Sequence, residues 1–355
     1  MANTSSSQTD YILFKVTNVL PFLSINLSLG TLLFNVILSV YSYILYGWMI
    51  YSILKYKNDL LDLNTTFCNT VIVRSFADFF SHIQSFIFGV LSFYPPIAEV
   101  FKAYSTPDYT WTAYYAFMHF FPFCQFFLGA YVAFQRFVLI AFPFNGADFL
   151  AKTFYPCLLI MIITSATPTW YLWAAKTFCD KIPPFFTNGE YVATLNYKTE
   201  KWMTNNRNSR NSIIHYSIFI TLSFAFNIFS SVKMICYNKR NGYINKNQSK
   251  INLNMLFYSI ITTFFQILFV AINFVWYFDS RLLNDASFFY LCKSLRIYVM
   301  HLNCLLQPYY FFLLSKNFRG ICYKTFSCRA KDKRESLISL RNKSAKVQTL
   351  KKSVV

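Results

Sequence analysis

The sequence predicts an all-α membrane protein: a seven-transmembrane helix bundle with its N-terminus outside and its C-terminus cytoplasmic. Three observations predict it. Hydrophobic residues make up 55% of the 355 residues, aromatic ones 21% and charged ones only 13%, against about 25% charge in an ordinary soluble chain. Seven stretches reach the roughly 20 mostly apolar residues that a helix needs to cross a bilayer. The basic residues gather between those stretches and in the tail, as the charge asymmetry of cytoplasmic loops requires.

In chain order the spans run from Leu29 to Leu54, Phe67 to Tyr94, Trp111 to Phe142, Thr153 to Ala175, Ile213 to Tyr237, Leu253 to Phe278 and Ala286 to Leu314. The first is too long for a signal peptide. The bundle therefore fills residues 29–314, between an extracellular N-terminus over 1–28 and a basic cytoplasmic tail with a short surface helix over 315–355.

Orientation follows from charge. Lys55, Lys57, Lys152, Lys239, Arg240, Lys246 and Lys250 follow spans one, three and five, and twelve of the 33 Lys and Arg lie between Lys316 and Lys352. By the positive-inside rule these segments are cytoplasmic. The segment from Lys176 to Asn211 is also basic, but it is the longest loop, and long loops count less. The net charge of +19 reads as a tail lying on anionic lipid. Spread over loops, it does not form the basic face that nucleic acid needs. The lipid bilayer is thus a partner and nucleic acid is not. An outside N-terminus makes Asn3, in Asn3-Thr4-Ser5, a candidate glycan acceptor, while Asn26 sits too close to the bilayer. The second half does not repeat the first, so the inverted repeats of many transporters are absent.

The nine cysteines show no C-x2-C spacing, so no metal site is indicated. Cys68, Cys124, Cys157, Cys236 and Cys304 fall in or beside apolar runs as small hydrophobes. Cys179 and Cys292 lie outside or at the outer edge and form the candidate disulfide. No nucleophile–base constellation or phosphate loop appears, so enzyme activity has no support and no cofactor is implied.

A few polar residues inside the spans demand an account. Arg74 and Asp78 are four apart and share a helical face, so they can pair; a buried acid without a partner is costly. Two readings stay open: a self-contained pair, or an inner polar network joining Asp78 to Asn303 and Gln307. Arg136, at the inner end of span three, is expected to keep its charge near water and its stem in the protein. It is either a signalling switch or a helix anchor. Pro308 removes a backbone hydrogen bond and permits a kink in span seven.

The run Gln135-Arg136-Phe137-Val138-Leu139-Ile140-Ala141-Phe142-Pro143 resembles the DRYxxIxxP element of rhodopsin-like G-protein-coupled receptors. Gln307-Pro308-Tyr309-Tyr310-Phe311, followed by Asn317-Phe318-Arg319, resembles their NPxxY element and the Phe-Arg that opens a surface helix. "LNTTFCNTVIVRSFADFF" (63–80) is similar to the second helix of nematode serpentine chemoreceptors, above all the gamma class. The resemblance covers residues 30 to 325 in architecture and about 35 residues in motifs. It implies a plasma-membrane receptor that detects a small-molecule ligand and activates a heterotrimeric G protein. Gln135, Arg136, Pro143, Asp78, Asn303, Gln307 and Pro308 would form the activation switch.

The resemblance also implies a pocket in the outer halves of spans three, five, six and seven. Those halves hold His119, His215, Asn273, Trp276, Lys293 and Arg296. Lys293 and Arg296 are three apart and suit an acidic group. Met118 stands where amine receptors keep an aspartate, and His301 where an opsin needs its lysine, so neither ligand fits. The chain departs from the rhodopsin-like pattern in lacking the acid at Gln135, prolines in spans five and six, and a cysteine near Trp111. Cys322 and Cys328, among basic residues, are candidates for palmitoylation. Two other readings remain: a seven-span transporter or channel, and a non-signalling membrane partner protein.

Overall fold

The computed structural model describes residues 29–56, 65–181, 193–198, 205–241, 246–282, 286–314 and 318–320. Asn3, Asn26, Cys322 and Cys328 lie outside the described residues, as does most of the tail. The described elements are α1 (Leu29–Lys55), α2 (Thr65–Gly89), α3 (Pro95–Phe101), α4 (Thr112–Ala141), α5 (Gly146–Ala166), β1 (Thr177–Lys181), β2 (Ala193–Tyr197), α6 (Asn205–Asn241), α7 (Lys246–Leu282), α8 (Ala286–Leu305) and α9 (Gln307–Leu314).

Five helical stretches are long and apolar enough to cross a membrane: Leu32–Lys55, Thr112–Ala141, Gly146–Ala166, Ser209–Cys236 and Leu256–Val275. The polarity of the bundle matches a lipid environment. Phe34, Ile37 and Ile44 on α1, and Tyr155, Leu159 and Ile163 on α5, point outward, while Arg74, Asp78, His82 and Gln125 are buried. Polar groups turned inward find partners there that hydrocarbon would not supply. The polar α2 belongs to this interior and is long enough at 25 residues to accompany the others.

The central helix is α4, packed against α2, α5, α6 and α7. Its bounds fall within a residue of the expected span. It crosses α7 closely at Gly129, where a Cβ would lie 2.4 Å from Gln266 Nε2 and 2.8 Å from its Oε1. Gln266 cannot leave freely, because its Nε2 donates to the Gln125 carbonyl at 3.2 Å. Gly129→Ala is therefore expected to destabilise the bundle by about 1–3 kcal/mol, the usual cost of overpacking. Thermal unfolding of the detergent-purified protein checks this; an unchanged midpoint would show that Gln266 swings aside without loss.

The fourth span differs from expectation, starting at Gly146 rather than Thr153 and ending at Ala166 rather than Ala175. Asp148 sits in the first turn of α5, where an acid stabilises a helix N-terminus instead of marking a loop. Thr167 still has helical dihedrals and donates to the Ile163 carbonyl, but Pro168 has no N–H to continue the ladder, and a short 3-10 turn over Trp170–Ala174 follows. Helices α6 and α7, of 37 residues each, run past the apolar stretches that mark them in the sequence.

The last span breaks at Leu306, between α8 and α9. Pro308 has no N–H to give the Cys304 carbonyl one turn back. Tyr46 Oη on α1 donates to that carbonyl instead. The kink is thus capped from a neighbouring helix.

The segment expected as a plain loop from Lys176 carries a two-stranded antiparallel hairpin, with Cys179 opposite Leu195 and Thr177 opposite Tyr197. It is anchored to the chain ahead of α4: Thr177 N–H donates to the Asp108 carbonyl at 2.7 Å, and Asp108 N–H to the Thr177 carbonyl at 3.0 Å. The hairpin covers the N-terminal end of α4, called the hairpin end below. Cys179 packs there with Tyr115 and Leu195, whereas Cys292 packs in a different cluster with Phe123 and Val299. No bridge joins the two sulfurs, which corrects the candidate disulfide. Burial and the nearby Asp108 carboxylate push the Cys179 thiol up to about 11, so it stays protonated and unreactive at neutral pH.

Candidate functional site

Three groups of polar side chains lie along α4. The middle one centres on Asp78, which is fully buried. Gln125 Nε2 donates to its Oδ1 at 2.6 Å, and Arg74 Nε lies 3.6 Å from its Oδ2. Arg74 Nη1 reaches Thr262 Oγ1 on α7 at 3.4 Å. Tyr46 Oη sits 3.1 Å from Asp78 Oδ2, 3.1 Å from Gln307 Oε1 and against the Cys304 carbonyl. One hydroxyl has one proton for these three acceptors, so a small shift of α8 and α9 changes which of them it serves. Gln307 Nε2 donates to Tyr258 Oη at 2.9 Å.

The pair and the network are therefore one structure, built from α1, α2, α4, α7 and the α8–α9 break. Asn303 is buried, and the face turned to Asp78 carries Cys304 and Gln307; Gln125 Nε2 lies 3.2 Å from Cys304 Sγ.

The second group surrounds Arg136 near the C-terminal end of α4. The arginine is only 5% exposed, which corrects the expected solvated position. Its guanidinium carbon lies 4.2 Å from the Phe67 ring centroid, and its Nε and Nη2 are buried without a hydrogen-bond partner. Phe67 stacks on Phe311 of α9 at 6.2 Å and meets Tyr258 edge-on at 6.3 Å. Phe311 in turn packs on Phe318 at 4.8 Å. Arg319 donates to the carbonyls of Phe312 and Leu313, capping the end of α9. The ring over Arg136 thus comes from α2, and the kinked final helix packs behind it through Phe311. Gln135 does not hold Arg136; its Nε2 donates to Thr70 Oγ1 at 2.8 Å and ties α4 to α2. Pro143 follows just after Ala141 ends α4.

The third group lies at the hairpin end. Tyr115 packs against His119 at 4.9 Å and against Tyr197 of β2 at 5.4 Å. Tyr216 of α6 stacks on Phe123 at 4.5 Å. Arg296 of α8 lies 5.8 Å from the Phe269 ring centroid and within electrostatic reach of Tyr115, His119 and Tyr216. His119 Nε2 is buried without a partner.

Of the expected pocket residues, His119 and Arg296 thus come together. His215 touches the edge of Phe123 at 5.9 Å, its Nδ1 lying 2.7 Å from the Asn211 carbonyl. Asn273 donates within its own helix to the Phe269 carbonyl. The side chains of Trp276 and Lys293 lie outside those described. Sequence reasoning missed Tyr115, Tyr197 and Tyr216, which look in the sequence like any of the 26 tyrosines. Among the described residues no group of three or more His, Cys, Asp or Glu is placed to hold a metal.

The match to known proteins decides the class of the chain. Residues 32–321, from α1 through α9, match the Srg family chemoreceptor profile. The chain belongs to that family. No curated protein matches it. This Srg chemoreceptor is a serpentine membrane receptor of the chemosensory kind, as the resemblance in its second span implied. Its three polar groups are strung on one rigid element: from His119 to Arg136 is seventeen residues, about 25 Å of helix at 1.5 Å per residue.

Proposed function

We propose that this Srg chemoreceptor is a G-protein-coupled receptor of the plasma membrane, with seven spans and its N-terminus outside. In this reading α2 and the α8–α9 pair supply the two spans beyond the five apolar stretches, and the basic tail sets the orientation. A small, acidic molecule binds at the hairpin end, where Arg296 and His119 face tyrosine and phenylalanine walls. The opposite end meets a heterotrimeric G protein.

One observation carries the reading: Arg136 is held as a buried charge with two guanidinium nitrogens lacking acceptors, against the Phe67 ring that the kinked end of the bundle backs through Phe311. A buried charge without acceptors is unfavourable, so a state in which α9 moves away and offers carbonyl oxygens would satisfy it. A G protein that binds that state, and a ligand that favours it at the other end, are then coupled by differential binding alone. Tyr46 supports the link, since its hydroxyl touches both the Asp78 layer and the α8–α9 break.

The test is G-protein activation in cells exposed to pooled small-molecule extracts, beside an Arg136→Ala variant matched for surface expression. The variant is expected to lose at least about tenfold in response, corresponding to about 1.4 kcal/mol of coupling. Equal responses would reduce Arg136 to a helix anchor and overturn this assignment.

A further inference from the structure

Toward the hairpin end from Asp78, helices α1, α2 and α8 repeat their contributions one turn along. Tyr43 lies three residues before Tyr46, His82 four after Asp78, and His301 three before Cys304. These spacings keep each pair on one helical face, so a second polar layer is stacked on the first. His82 and His301 are 1% and 5% exposed, with ring centroids 4.6 Å apart. Two turns beyond His82, the missing side chain of Gly89 lets Ile297 approach; a Cβ there would lie 2.9 Å from Ile297 Cγ2. That close contact of α2 and α8 holds the two imidazoles together.

The hydrogen bonds of the layer leave one nitrogen of each ring without a partner. His82 Nδ1 lies 2.6 Å from Tyr43 Oη. His301 lies beside the Ser85 backbone, and its Nε2 is buried without a partner. In the tautomer with its proton on Nδ1, His301 presents a lone pair at Nε2. The Nε2 of His82 is likewise buried and without a partner. Two neighbouring buried nitrogens in that condition are unusual, because buried polar atoms are nearly always paired. A histidine whose one nitrogen is oriented by an oxygen while the other is left for a guest is the arrangement of a metal ligand.

We propose that His82 and His301 form a binding site for one d10 transition-metal ion, zinc(II) or copper(I), bridging α2 and α8 through both Nε2 atoms. The donor set selects the class. Imidazole suits zinc and copper, whereas calcium and magnesium require several oxygens. Bonds of about 2.0–2.1 Å from rings this close can converge on one ion. Asp78 does not complete the site, since Gln125, Tyr46 and Arg74 already engage its carboxylate. In the tautomer that leaves Nε2 free for the ion, Tyr43 takes the supporting role and accepts the Nδ1 proton of His82. An ion there would pin α2 to α8 beside the α8–α9 kink, favouring whichever state brings the rings together.

The chain has four histidines, His82, His119, His215 and His301, so the controls are complete. Detergent-purified full-length receptor, with accessible thiols alkylated and metal removed by chelator, is dialysed against micromolar zinc(II) or, anaerobically, ascorbate-reduced copper(I). The parent is expected to retain one equivalent more than His82→Gln or His301→Gln, each of which loses the whole equivalent. His119→Gln and His215→Gln keep it. Uptake of either ion supports the site, and the ion completes its shell with water, because rings whose centroids lie 4.6 Å apart do not face each other across a linear two-coordinate ion. Equal retention of both ions by the parent and the two layer variants overturns the site. Should those variants fold poorly, X-ray absorption on the loaded parent decides: two nitrogen scatterers near 2 Å support the site, and a sulfur-only shell sinks it. The result is independent of G-protein coupling.

Discussion

Asp78→Leu is expected to deplete this receptor from the cell surface, and adding Arg74→Met is expected to restore much of it. The leucine removes the acid but leaves Arg74, whose side chain is 2% exposed, with Thr262 at 3.4 Å as its remaining neutral contact. Removing one member of a buried ion pair typically costs about 3–5 kcal/mol, whereas replacing both by apolar groups of similar volume is often neutral or stabilising. Against a total stability of about 5–15 kcal/mol, the single change is large enough to divert the chain to degradation. The rescue should be incomplete, because Gln125 and Tyr46 also lose an acceptor. Surface labelling and thermal unfolding in detergent measure both variants. Equal depletion of the single and double variants would show that the stranded arginine is not the cause.

Much of this site was legible in the sequence, and the exceptions share a cause. The spacing of Arg74 and Asp78 predicts their pairing because helical geometry relates residues four apart. The ends of α4 are clear because the apolar run stops at residues that cannot continue it. What spacing does not encode is which distant residue fills the third dimension. Tyr46, Gln125 and Gln307 reach Asp78 from helices whose rotation depends on packing. Asn303 and Cys304 are neighbours in the sequence and both are buried, so only the rotation of α8 against α4 shows that Cys304 meets Gln125. The burial of Arg136 was hidden for the same reason, since the ring over its guanidinium is Phe67 of α2, with Phe311 of α9 stacked behind it. The hairpin was hidden for a different reason: its strands are five residues each and lie in a polar loop without a strong alternating pattern.

Phe67→Leu is expected to raise ligand-free G-protein activation, and this outcome separates a held switch from a buried anchor. The Phe67 ring lies under the Arg136 guanidinium at 4.2 Å, and a desolvated cation–π contact contributes about 2 kcal/mol. Leucine keeps apolar contact with Tyr258 and Phe311 but has no ring to attract the charge. If that attraction belongs only to the state in which α9 packs behind Phe67, its loss shifts the balance toward the open state by up to about 30-fold, at 1.4 kcal/mol per tenfold. A ligand-free turnover assay on matched amounts of receptor reads the shift directly. Adding Arg136→Ala should return the signal to background, because the residue released is also the one that couples. A Phe67→Leu receptor with a lowered unfolding temperature and unchanged basal turnover would mean that the ring only packs, and that Arg136 is equally covered in both states. The two results differ because packing contributes to every compact state, whereas a switch contact contributes to one.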